Sequence, residues 1–120
     1  MAISGVTARV YYDLVDWAAE HASEFVEGPN RGNLPDAWLG VWRVRVDGHD
    51  YVAISTHVMQ SWLIRHWLVP DSALRALGKA GLILSPSTPC PQGLEWSHPV
   101  QRGEITIYAV LLLWPDADAL

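Results

Sequence analysis

Cysteine is nearly missing from this chain: Cys90 stands alone and has no partner for an internal disulfide. That excludes a disulfide-stapled secreted scaffold and fits a reducing compartment, so a cytoplasmic location is expected. Long apolar runs are missing as well. The longest, residues 107–114 apart from its tyrosine, has the length of a strand and not of a membrane span. The chain does not open on a basic segment followed by an apolar one, so it reads without a secretory signal, and no membrane partner is expected. Basic residues are scarce. Eight Lys and Arg against thirteen Asp and Glu leave a net charge of −5, which speaks against nucleic acid, because phosphate contacts rely on Lys and Arg.

The usual marks of catalysis are lacking too. Gly78 and Gly81 fall in and after a predicted helix, not between a strand and a helix where a phosphate loop would need them. The five histidines (His21, His49, His57, His66 and His98) show no H-E-x-x-H pattern and no cysteine at ligand spacing. Cys90 and His98 do not make a nucleophile and base by spacing alone, and no serine sits on a nucleophile elbow. The chain reads as a non-enzyme, with no cofactor and no metal.

What is present suits one domain spanning residues 1–120: half the residues are apolar, and seven tryptophans must be packed or used. The acid is unevenly spread. Asp13, Asp16, Glu20, Glu24 and Glu27 face a single base, Arg9, within residues 7–27, whereas residues 28–115 hold seven bases and six acids. Residues 7–26 predict an amphipathic helix with Val10, Leu14, Trp17, Ala18, His21 and Phe25 on one side. A Gly-Pro-Asn loop follows, then a hairpin turning at Asp47-Gly48. In its first strand, alternation places Trp42, Val44 and Val46 on one face and Arg43 and Arg45 on the other.

The chain is organised around residues 54–84. Ser55 or Thr56 is placed to cap a helix carrying Val58, Met59, Trp62, Leu63 and His66. Pro70, Asp71 and Ser72 open a second helix that sends Leu74 and Leu77 inward and leaves Ser72, Arg75, Ala76 and Lys79 outside. Gly81 stops it, and Leu82-Ile83-Leu84 supplies a short strand. A proline-rich loop leads to a second hairpin at about 94–113 around Gln101-Arg102-Gly103. The expected fold is therefore α+β: a winged helix-turn-helix (helix-turn-helix at about 55–81) with an additional N-terminal amphipathic helix and two β-hairpins. Its expected core includes Leu14, Trp17, Trp42, Val44, Ile54, Trp62, Leu74, Leu77, Leu82 and Ile107.

Val52-Ala53-Ile54, Trp62 and the run from Ala73 to Leu82 resemble the winged-helix module at the C-terminus of mobile-element primase-helicase replication proteins. The stretch from Trp17 to Phe25 resembles the helix before the first hairpin of that module. In outline the chain is also similar to the C-terminal domain of conjugative relaxases. The acidic first helix and the long proline-rich loop depart from that pattern. The resemblance carries packing motifs and no catalytic signature. It implies a non-catalytic accessory module that binds nucleic acid weakly, with Arg43, Arg45, Ser72, Arg75, Lys79 and Arg102 as the contacting residues. The alternative expectation is a protein-interaction module, or an inhibitor encoded by a phage or mobile element. It would dock through the acids Asp16, Glu20 and Glu24 and through tryptophans near element ends, Trp38, Trp67 and Trp96, with Trp114 similarly placed.

Overall fold

The computed structural model describes residues 4–28, 38–86 and 95–115. Helix α1 (Gly5–Glu20) starts at Ser4, whose hydroxyl accepts the Thr7 amide at 3.1 Å. It stops at His21, where Nδ1 donates to the Trp17 carbonyl at 2.8 Å. The helix is thus shorter than the predicted 7–26 at its far end. A 3-10 turn (Ala22–Glu24) follows and redirects the chain so that Phe25 is fully buried.

Strands β1 (Gly40–Val46) and β2 (His49–Ser55) form the expected hairpin. Asp47 (φ 50°) and Gly48 (φ 82°) make its turn, in the left-handed conformations a two-residue connection demands. Strict alternation along β1 fails. The register shifts between Val41 and Val44, and Arg43 takes a φ of 56° in the resulting bulge. Trp42 therefore packs on one side of the sheet while Val44 and Val46 pack on the other, contrary to the shared face predicted for them.

Helices α2 (Thr56–Arg65) and α3 (Pro70–Lys79) follow. Neither predicted side-chain cap forms. Ser55 precedes α2 without a capping bond, and Val69 occupies the corresponding place before Pro70. Thr56 has a different task. Its hydroxyl donates to the Tyr108 carbonyl at 3.1 Å, which leaves it to accept from the Ser97 hydroxyl at 2.6 Å, so a buried polar link joins α2 to the second hairpin.

Residues 82–84 bond to the end of the last strand, with Ile83 bridging Leu112. Strands β3 (His98–Arg102) and β4 (Ile105–Leu113) form the second hairpin. The two hairpins are not separate: they merge into one antiparallel sheet of order β1-β2-β4-β3. Its helix-facing side carries Val52, Ile54, Val110 and Leu112 against Tyr11, Leu14, Met59, Trp62, Leu63, Leu74 and Leu77. The opposite side has its own apolar cluster, built on Val41, Val44, Tyr51, Ala53, Val100, Ala109 and Leu111.

That second cluster exists because the sheet curls. Val26 pairs beyond β1, so a flat sheet would hold it four strand spacings from β3, roughly 19 Å away. Yet the Arg102 guanidinium lies 3.3 Å from the carboxylate of the next residue, Glu27. The two edges are folded toward each other. Arg102 was expected at a hairpin tip; it is instead the last residue of β3, half-buried and paired, while Gly103 and Glu104 make the turn.

Candidate docking site at the α2–α3 turn

Helix α2 ends in a standard hydrogen-bond pattern. The Leu68 amide donates to Leu63 O and the Trp67 amide to Ile64 O, both at 3.0 Å. His66 stacks on Trp62 with ring centroids 3.8 Å apart and donates Nδ1–H to the Trp62 carbonyl at 2.8 Å. This pattern requires one residue in the left-handed region, a place usually taken by glycine. Here it is Trp67, with φ 62° and 96% of its surface exposed.

Apolar neighbours surround it. Ile64, Val69 and Val6 are all more than half exposed. A groove of about 280 Å³ runs between the first turns of α1 and the outer side of α3, lined by Val6, Val10, Trp67, Val69, Ala73 and Ala76 among others. It is smaller than the roughly 300–1,000 Å³ of drug-sized ligand sites, and suits one or two inserted side chains.

Charges border this groove. On a helix, residues three apart share a surface. Arg9 and Asp13 follow Val6 and Val10 by three positions, Arg75 and Lys79 follow Ser72 and Ala76, and Arg65 precedes Trp67 by two. All five are exposed. Arg75 is held by Asp71 at 2.9 Å on the outer face. Among the described residues these neighbours are four cations and two anions, in a protein of net charge −5.

The residues expected to touch nucleic acid fall in three places. Ser72, Arg75 and Lys79 lie together on the exposed side of α3. Arg43 and Arg45 border a separate recess with His49 and Trp114, to which no described residue of α3 contributes. Arg45 there reaches Asp50 at 3.7 Å and donates to Gly48 O at 3.3 Å. Arg102 is on the far edge of the sheet, tied to Glu27.

The residues expected to touch protein are also divided. Asp16 and Glu20 are exposed on α1, whereas Glu24 lies past its end, half-buried in the 3-10 turn. Trp38 is half-buried, and Trp96 covers Gly78 of α3 so closely that a methyl group there would sit 2.2 Å from its ring. Trp114 meets Trp42 edge to face with centroids 5.0 Å apart. Trp67 is left as the exposed one of these four. Sequence reasoning missed Val6, Ile64 and Val69 as its companions. A signal was available: no glycine stands between Arg65 and Pro70 to take the left-handed place.

Among the described residues, no group of three or more His, Cys, Asp or Glu gathers to hold a metal ion. None of the described helices is long and apolar enough to cross a membrane. No family model, no curated protein and no solved structure matches the chain.

Proposed function

We propose that this chain is a non-catalytic contact module with a winged-helix core, whose main partner is a protein docked at the α2–α3 turn. One observation carries the reading. Trp67 carries the largest kind of side chain, and it is left in water on a backbone conformation that disfavours it. Folding gains nothing from that arrangement, while an exposed tryptophan beside an apolar groove is the usual anchor of a protein interface. The winged-helix part is supported by element order. Strand β2, the helix pair and the β3–β4 hairpin follow one another, with β4 between β2 and β3 in the sheet. Helix α1 and strand β1 are additions to that core.

The test separates docking from folding. Trp67→Gly should melt no lower than the wild type and should lose a partner that the wild type retains from the lysate of its own host. A partner held equally by both proteins sinks the reading.

Weak nucleic-acid binding in replication or transfer of a mobile element is the second reading. It is favoured by Arg65 and Lys79, both exposed and without an ion-pair partner among the described residues. It ranks second because the cations expected to contact phosphate are split among three places, with Arg102 tied to Glu27 at the far edge of the sheet, and the net charge is −5. Labelled single- and double-stranded DNA at low salt tests it. Binding that falls on reversal of Arg65 and Lys79, and is indifferent to Trp67→Gly, would put this reading first.

A further inference from the structure

Resting on the docking reading, the geometry points to the kind of partner: we infer that the groove takes an acidic amphipathic segment, one or two apolar side chains inserted and carboxylates outward. The groove selects the apolar part. Its lining is mainly apolar (Val6, Val10, Val69, Ala73 and Ala76, with Trp67). The Thr7 and Ser72 hydroxyls and the Trp67 indole N–H are the side-chain donors it holds, and no charged side chain lines it for a phosphate to pair with. Its volume of about 280 Å³ limits the insertion to one or two residues, as a helix supplies at i and i+3 or i+4.

The surrounding charges select the acidic part. Arg65 and Lys79 are exposed and unpaired among the described residues, as is Arg9 beside Val6. Arg75 is engaged only by Asp71, in a pair that is about 60% exposed on both sides and so costs little to exchange. Among the described residues, Asp13 is the opposing carboxylate beside the α1 wall. Elsewhere the exposed side of α1 carries Asp16 and Glu20, which would repel the same segment and confine it to the groove.

A random 16-residue peptide library panned on the wild-type chain, with Trp67→Gly used for counter-selection, tests the inference directly. The expected winners carry apolar residues at helical spacing among Asp and Glu. Their affinity should fall at least tenfold in Trp67→Gly, fall similarly in the Arg65→Glu/Lys79→Glu pair, and weaken as salt rises. Trp67→Asn, also tolerant of the left-handed turn, serves as the second variant, and thermal melting certifies the fold of each.

Several results overturn the inference. Winners that depend on Trp67 but are neutral or basic remove the acidic partner and leave the docking reading standing. If no peptide depends on Trp67, both fall. A concentration-dependent dimer that disappears in Trp67→Gly assigns the groove to a second copy. Duplex or single-stranded DNA that binds more tightly than the best peptide, and is lost on reversal of Arg65 and Lys79, assigns the patch to phosphate.

Discussion

Helices α2 and α3 end in the same hydrogen-bond pattern, and the two ends place different residues at its left-handed position. At α3 the Leu82 amide bonds to Leu77 O and the Gly81 amide to Gly78 O, reproducing the bonds made by Leu68 and Trp67 at α2. In both, the second residue after the helix is left-handed, with φ 74° at Gly81 and 62° at Trp67. In both, the next leucine packs with the core. Glycine accepts that conformation freely, whereas any side chain there crowds the following carbonyl. So α3 stops by a device that serves folding alone, while α2 stops by the same device at a cost. Trp96, also left-handed at φ 71°, shows how such a cost is offset: its ring covers Gly78. Trp67, 96% exposed, has no comparable contact among the described residues. The difference separates a ring that serves the fold from one that is left exposed.

The largest effect expected is beneath the α2 end. Trp62 is 3% exposed and supports His66, which caps the helix. Trp62→Ala should cost about 3–5 kcal/mol in urea denaturation, and an unchanged midpoint would mean that the end does not rest on the core. Away from both ends, Tyr11 gives a reference with a pH signature. Its hydroxyl donates to Leu113 O at 2.6 Å, and burial, with Tyr12 close by, pushes its pKa up from 10.0 to about 12. The native state disfavours the phenolate, so this stability is intact below pH 10 and is lost as pH rises toward 12. Tyr11→Phe should flatten that part of the alkaline melting curve; a curve as steep as the wild type's assigns the loss to other groups.

The sharpest test of the comparison is a mirrored pair. Gly81→Ala meets no atom within 4 Å, so its cost is backbone alone and should be about 1–2 kcal/mol. Trp67→Gly should run the other way, gaining about 0.5–1 kcal/mol after the extra chain entropy of glycine is subtracted. If Trp67→Gly destabilises instead, Trp67 belongs to the fold and the contrast between the two ends collapses. The smallest effect concerns Arg102. Its pairing with Glu27 is partly exposed, so Arg102→Gln should shift stability by less than about 1 kcal/mol and less still at high salt.

Much of the fold was legible because it is written in local pattern. Periodicity marked α1 and the inward Leu74 and Leu77, and turn chemistry marked Asp47-Gly48, each of which depends on neighbours a few residues away. Three misreadings share one cause. The bulge at Arg43 puts Trp42 and Val44 on opposite faces because the strand has to bend with the curled sheet. Thr56 is drawn from capping into a buried bond with Ser97, 41 positions away. Arg102 is drawn from a hairpin tip to Glu27 at the opposite edge. Each outcome was decided by a distant segment. The candidate site was half legible: Trp67 lies near an element end, as do Trp38, Trp96 and Trp114, and the missing glycine between Arg65 and Pro70 marked a left-handed place, but which ring stays exposed depends on distant segments.

By itself the sequence determined the α+β class, the places of the helices and turns, and a chain short of free cations, because propensity, periodicity and charge act over one or two turns. Tertiary structure alone decided that two hairpins make one curled sheet with a core on each face. It also decided which tryptophan stays in water. Exposure is a property of what the rest of the chain brings near, and at Trp67 it brings only the rim of a groove.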